Sequence, residues 1–300
     1  LITFITNPAA GSGKSQLALP IIKRIMDASG HTYEIKETTA PAHAAELARA
    51  AAESGSRIVA GVGGDGTVQE IVAGLTGTNA ALAIIPAGSG NDVIRSLNPS
   101  LAIQKNFAAR VEQFLQMLLT KTPQTIDVIR MNGFHFLNIG SVGIDAEIVT
   151  RAAGLKKTFG KAAYLAGTLQ STFTYKPKRV CIECDGQVID RDLSLAAVSN
   201  GQFYGGGFNI SPGANMADGQ ITLCVIDKLS RFMFGALFPL VLFGAHTKLK
   251  QVQYINCEHV TIHYDGTLPV NLDGNIYNLK APLSFDIVKG GLQVIKDRTQ

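Results

Sequence analysis

Charge of either sign is scarce in this chain: 17% of its 300 residues are charged, and Lys plus Arg outnumber Asp plus Glu by only 27 to 23. No run of five like charges occurs, so there is no basic arm for a polyanion, and nucleic acid is not an expected partner. Cysteine is also sparse. The four thiols, at 181, 184, 224 and 257, lack the spacing of a disulfide framework, so reduced cysteines and a cytoplasmic location are expected. The opening LITFITNPAAG has neither a basic n-region nor a long apolar core, which leads to the same expectation. Long hydrophobic runs are missing: the most apolar stretch, Phe232 to Ala245, is about half a bilayer span and contains Pro239. No low-complexity tract and no repeat of 20 to 50 residues is visible. What remains is an ordinary globular composition, 46% hydrophobic, in a chain long enough to need two cores.

Up to about residue 125, short β-rich runs alternate with longer amphipathic ones. Ile2–Thr6, Thr32–Glu37, Arg57–Gly61 and Ala81–Ile85 read as strands; Lys14–Ala28, His43–Glu53 and Thr67–Leu75 read as helices. That rhythm predicts βαβ units and a largely parallel sheet. Gly11, Gly13, Gly63, Gly64, Gly66, Gly88 and Gly90 fall just after predicted strands. In an open α/β sheet those ends line the ligand crevice, so three glycine-rich loops there describe a phosphate-binding surface. After the amphipathic segment Gln104–Leu119 the pattern turns to strands, including Thr125–Met131, His135–Ile139, Arg179–Glu183, Leu193–Ser199, Gln220–Ile226, Val260–Tyr264 and Leu283–Val288. A mostly antiparallel second domain is expected, with Lys156–Tyr175 and Leu229–Leu249 as its non-β parts.

Two short motifs match without fitting. Pro8-Ala-Ala-Gly11-Ser-Gly13-Lys14-Ser15 has Walker A spacing, but Pro8 replaces the first glycine and has no N–H for a phosphate. Gly61-Val-Gly63-Gly64-Asp65-Gly66 satisfies the dinucleotide fingerprint, yet places a carboxylate where a pyrophosphate would lie. A carboxylate beside phosphates makes sense when Mg²⁺ lies between them.

Asn7-Pro8-Ala9-Ala10-Gly11-Ser12-Gly13-Lys14, Gly63 to Glu70, Ile85-Pro86-Ala87-Gly88-Ser89-Gly90-Asn91-Asp92 and Asn271-Leu272-Asp273-Gly274 follow one another in a telling order. In that order they resemble the diacylglycerol kinase catalytic domain family, and the whole chain is similar to its soluble bacterial lipid kinases. The resemblance implies an α/β chain of two domains. A Rossmann-like nucleotide-binding domain of the NAD kinase and diacylglycerol kinase type would span 1–125, joined by 293–300. A β-sandwich-like lipid-substrate domain would span 126–292. It implies an ATP- and Mg²⁺-dependent lipid kinase acting on a hydroxyl of diacylglycerol or a related lipid, with peripheral membrane contact and room for a homodimer. By the same resemblance Asn7, Gly11, Thr39, Gly63, Gly64, Asp65, Gly66, Thr67, Val68, Gln69 and Ser89 contact nucleotide, Asp65 also binding the catalytic Mg²⁺. Asp273 takes the proton of the lipid hydroxyl, and Asn215, Asp218 and Gln220 hold a structural Mg²⁺. The family pattern continues Asp-Gly-Glu, whereas this chain has Asn275, which keeps open a catalytically impaired nucleotide- and lipid-binding protein. A kinase of a soluble substrate such as NAD shares the glycine-aspartate loop.

Each of these residues has a plainer reading. Asp65 would serve as a turn aspartate capping the helix that starts at Thr67. Asp273-Gly274 would serve equally well as a hairpin turn, and Asp218-Gly219 is also a turn signature. Cys181 and Cys184 have zinc-knuckle spacing but stand alone on a β-patterned segment, where residues three apart face opposite sides. The segment Phe232–Phe243 reads first as a buried helix, while Lys156, Lys157, Lys161, Lys176, Lys178 and Arg179 offer a surface for anionic lipid.

Overall fold

The computed structural model describes residues 1–159 and 175–297, so most of the expected insert Lys156–Tyr175 lies outside the described residues. The chain forms two compact units. One comprises Leu1–Val128, His135–Leu137 and the chain from Val288 onward; the other comprises Ile129–Phe134 and Asn138–Ile287.

The first unit is built on a parallel sheet of β1 (Ile2–Thr6), β2 (Tyr33–Glu37), β3 (Ile58–Gly63) and β4 (Ala81–Pro86), in the order β2-β1-β3-β4. Gln293 and Val294 add a further parallel pairing beside Ala81 and Leu82. β1 and β4 are buried along their whole length, and β4 accordingly reads as an unbroken apolar run rather than an alternating one. The helices are α1 (Lys14–Ser29), α2 (His43–Glu53), α3 (Asp65–Leu75), α4 (Asp92–Leu97), α5 (Pro99–Ile103) and α6 (Phe107–Thr120). Asn106 caps α6 by accepting the Ala109 N–H at 3.1 Å, and the apolar stripe Val111, Phe114, Leu115 and Leu118 joins Phe4, Ile22, Met26, Val62 and Ile85 in the core. The alanine-rich α2 lies so close to α3 that a Cβ on Gly74 would overlap the Ala45 carbonyl.

β5 (Gln124–Met131) leads out of the first unit, and β6 (Phe134–Phe136) pairs with it. The second unit then carries β7 (Ile139–Gly143), α7 (Ile144–Phe159), β8 (Lys178–Cys184), β9 (Gln187–Ser199), β10 (Phe203–Tyr204), β11 (Phe208–Asn209) and β12 (Ile221–Asp227). α8 (Arg231–Leu242) follows, then β13 (Val252–Cys257), β14 (His259–His263), β15 (Thr267–Leu272), β16 (Asn275–Lys280) and β17 (Leu283–Val294), whose residues from Val288 belong to the first unit. β9 organises this unit. Its first half pairs antiparallel with β8, and its second half lies between β7 and β12. The core on this side holds Ile139, Leu195, Ala197, Ile210, Cys224 and Ile226. Strand alternation buries Cys184 and leaves Cys181 partly exposed.

The expected buried helix over Phe232–Phe243 has an exposed end. Val241 is buried, but Leu242 and Phe243 are 41% and 84% exposed where the helix ends. Among the described residues no helix is long and apolar enough to cross a membrane.

Candidate active site

In the first unit three loops follow β1, β3 and β4, and their glycines answer first to one another. Gly11, at φ +59°, sits where a Cβ would overlap the Ala87 carbonyl. A Cβ on Gly64 would meet the Gly88 Cα at 3.1 Å, and one on Gly88 would meet the Gly64 Cα at 2.5 Å. Only chains without side chains approach this closely. Gly13, at φ +90°, has nothing within 4 Å of its Cβ position, so its glycine answers to backbone conformation alone. Asn7 ties the first loop to the second. Its Nδ2 donates to Thr67 Oγ1 at 3.2 Å, its Oδ1 accepts the Ala9 N–H at 3.0 Å, and its carbonyl accepts the Ser15 hydroxyl at 2.6 Å.

Asp65 caps a helix, but not the one expected. α3 begins at Asp65 itself, and the carboxylate reaches instead to the start of α4, accepting the Asn91 N–H at 2.8 Å and the Val93 N–H at 3.3 Å. Burial pushes its carboxyl above the ordinary value, against the opposing pull of these amides. A second carboxylate is close by. A Cβ on Gly90 would lie 2.8 Å from Asp65 Oδ2 and 3.4 Å from Asp92 Oδ2. Asp92 is 8% exposed and has Arg95 at 3.6 Å. The motifs give Asp92 no role of its own; the Gly-Asn-Asp run after a strand is its signal in the sequence.

The remaining expected nucleotide contacts divide by exposure. Thr39 is exposed, its N–H and hydroxyl both directed at His43 Nδ1 at 3.1 and 3.0 Å. Ser89 is exposed on the third loop. Val68 and Gln69 are buried inside α3, 2% and 6% exposed. The Val68 N–H bonds the Gly64 carbonyl at 3.1 Å, which leaves the amides of Asp65, Gly66 and Thr67 as the opening ones of α3.

In the second unit Asp273-Gly274 is the two-residue hairpin turn between β15 and β16, with φ of +47° and +91°. The Asp273 carboxylate accepts the Ile139 N–H at 2.8 Å and the Asn138 N–H at 3.0 and 3.2 Å, while its own N–H bonds the Ile139 carbonyl. Asn271 connects this turn to a residue the sequence did not mark. Its Oδ1 accepts the Gly274 N–H at 2.9 Å, and its Nδ2 donates to Asp145 Oδ2 at 3.2 Å. The Ser141 hydroxyl donates to the same oxygen. Asp145 is 1% exposed, and burial pushes its carboxyl up. Asn275 follows the turn, partly exposed.

Asn215 and Asp218 are exposed and close local turns: Asn215 Oδ1 accepts the Ala217 N–H at 3.1 Å, and Asp218 Oδ1 accepts the Gln220 N–H at 3.0 Å. The Gln220 amide therefore turns towards Asp218. One carboxylate with neighbouring carbonyls is an oxygen donor set of the type Mg²⁺ accepts. Among the described residues no group of three His, Cys, Asp or Glu side chains assembles as a metal site.

Comparison with known proteins decides the family. Residues 2–131 match the diacylglycerol kinase catalytic domain, and residues 138–296 match the YegS C-terminal NAD kinase beta sandwich-like domain. A diacylglycerol kinase of Mycobacterium tuberculosis is 30% identical over 99% of this chain and 95% of its own length. The chain belongs to the diacylglycerol kinase family. A diacylglycerol kinase of Bacillus subtilis is 27% identical over 90% of this chain and 88% of its own length. A crystal structure of a diacylglycerol kinase from Bacillus anthracis superposes with a TM-score of 0.81 at 26% identity, covering 99% of this chain and 97% of that one. Kinases of this family are the frame for the loop cluster. Asp65 and Asp92 face the space that Gly90 leaves by lacking a Cβ, and could hold a Mg²⁺, which commonly takes one or two carboxylates plus phosphate oxygens.

Proposed function

We propose that this protein is a lipid kinase that uses ATP and Mg²⁺ to phosphorylate a hydroxyl of diacylglycerol or a related lipid. The observation that carries this reading is the pair of carboxylates, Asp65 and Asp92, at the meeting of three glycine-rich loops in a diacylglycerol kinase family chain. Bound Mg²⁺ supplies charge neutralisation across the phosphate oxygens. The opening amides of α3 and the open backbone at Gly13 bind phosphate. Asn7, Gly11, Gly63, Gly64 and Thr67 fix the loop geometry, while Thr39 and Ser89 offer hydroxyls to the nucleotide. A carboxylate of the second unit takes the acceptor's proton, and the motif designates Asp273. Asn215, Asp218 and Gln220 hold a structural Mg²⁺. Such a substrate calls for peripheral contact with a membrane surface from the cytoplasm, favoured by exposed Lys176 and Lys178; Arg179 is instead paired with Asp190 at 2.8 Å.

A second reading, a nucleotide- and lipid-binding protein without turnover, is favoured by the backbone bonds that occupy both Asp273 oxygens and by Asn275. The test is lipid-dependent release of ADP from ATP over a panel of micellar lipids, with Asp65→Asn as control. Lipid-dependent turnover lost in Asp65→Asn supports the kinase. No turnover by the intact protein, with turnover gained in Asn275→Glu, supports the binder.

A further inference from the structure

α8 packs against the core of the second unit through Met233, Phe234 and the buried Val241. Yet the sequence from Phe232 to Ala245 contains no polar side chain, so the part of this helix that faces away from the core has none of the charge a surface helix carries there. The consequence shows where the helix ends. Pro239 and Ala245 are exposed, and the neighbours Leu242 and Phe243 stand 41% and 84% exposed.

This end is held in place rather than frayed. Val241 is buried just before the exposed pair, and just after it Gly244, at φ +67°, turns the chain into a 3₁₀ turn, Ala245–Lys248. Within that turn His246 is fully buried, its Nε2 meeting the Ile210 carbonyl at 3.0 Å and the Tyr254 hydroxyl at 2.7 Å. A Cβ on Gly244 would lie 2.9 Å from the Pro212 ring. Two apolar side chains are thus fixed in water between two buried anchors, an arrangement that marks a contact surface.

Charge selects the partner. From Lys228 to Cys257 the chain carries Lys228, Arg231, Lys248 and Lys250 and no Asp or Glu. Lys228 pairs with Asp192 at 3.4 Å, whereas Lys248 and Lys250 are exposed and make no ion pair among the described residues. The exposed Val188 of the same unit offers no such setting, since its partner across the strands is Glu183. A second copy of this chain is a poor occupant, because a patch that meets itself would set these lysines against their own counterparts. An anionic bilayer satisfies both halves of the surface: apolar side chains enter the acyl boundary while lysines reach the lipid phosphates.

Resting on the lipid kinase reading for a bilayer as the place of work, we propose that the end of α8, Leu242 and Phe243 with Lys248 and Lys250, is the segment that inserts into an anionic membrane surface. The insertion is shallow, as α8 is 12 residues long and cannot cross.

The experiment is co-sedimentation at low salt with vesicles of phosphatidylcholine alone and of phosphatidylcholine with about one third phosphatidylglycerol. It is run beside sedimentation velocity without lipid, thermal melts, and turnover of the water-soluble dihexanoylglycerol. Leu242→Ser with Phe243→Ser is expected to bind anionic vesicles at least about tenfold more weakly, with turnover of the soluble substrate unchanged. Lys248→Gln with Lys250→Gln is expected to lose about tenfold on anionic vesicles and nothing on neutral ones. If the apolar double variant does not fold, Phe243→Ser decides alone, and unchanged vesicle binding in it overturns the proposal. So do unchanged binding in a folded double variant, equal binding of the intact protein to both vesicles, or no binding to either. Self-association of the intact protein that the apolar variant abolishes would mean that a second copy covers this end, and overturns it too. Vesicle binding lost in the variants, with no turnover of any diacylglycerol by the intact protein, would defeat the kinase reading and leave the docking surface standing; turnover with vesicle binding unmoved by the variants would do the reverse.

Discussion

Asp65 and Asp273 stand in glycine-flanked motifs in different units, and both turn their carboxylates onto backbone N–H groups of another segment. Asp65 holds the start of α4, and Asp273 holds the chain entering β7. Their surroundings differ. Beside Asp65 stands a second carboxylate across the gap at Gly90, and burial raises its carboxyl. Asp273 occupies a left-handed turn, and the buried carboxyl near it, that of Asp145, is linked to the turn through Asn271. The same dipeptide Asp-Gly therefore stands beside a second carboxylate in one unit and forms a left-handed hairpin turn in the other.

The strongest way to break that contrast is Asp65→Asn, which should lower lipid-dependent turnover by about 10²–10³-fold while costing only about 1 kcal/mol of stability in lost capping. Turnover within a few-fold of the intact protein would remove Asp65 from the chemistry. Next in size is a pair of glycines in one loop. Gly11→Ala should cost about 2–4 kcal/mol in denaturant melts, because strain at positive φ adds to overlap with the Ala87 carbonyl. Gly13→Ala, with open space around it, should cost about 1–2 kcal/mol from conformation alone. Equal losses would mean that the first and third loops do not press together.

On the Asp273 side, Asp273→Ala should cost about 2–3 kcal/mol by freeing the amides of Asn138 and Ile139, read as a lowered denaturation midpoint. An unchanged midpoint would deny it the structural role. The smallest effect concerns pH. Burial holds the Asp145 carboxyl above its ordinary 3.8, so from that value up to the raised one the native state binds more protons than the unfolded state. Stability contributed by this group is present below that window and is lost as pH rises through it. Asp145→Asn should therefore flatten the fall of Tm on going upward from about pH 4, and parallel Tm curves would show that the group titrates as if exposed.

The alternation of strand and helix in the first unit was legible because short β-rich runs alternate with longer amphipathic ones and glycine loops follow β1, β3 and β4 directly. α4 and α5 were not, being short and separated by Asn98 at the boundary before Pro99. β13 escaped because it has a single partner, β12, among the described strands and so shows weak alternation. The plain turn reading of Asp273 describes its backbone, whereas that of Asp65 named the wrong helix, since which helix start lies within reach depends on loop packing. Asp145 carried no motif at all. Its meaning comes from the register that sets Asn271 opposite Ser141 across β15 and β7, a relation between residues 130 positions apart that no local pattern encodes.

β17 starts beside β14 in the second unit and ends beside β4 in the first, where Ile295 enters the core. During synthesis, therefore, the first unit cannot complete its sheet when its own early residues leave the ribosome. Its parallel edge at β4 waits, unpaired, until Gln293 and Val294 have been made. The order of manufacture and the order of completion are opposed, and the nascent protein must carry an open strand edge through the folding of everything that follows.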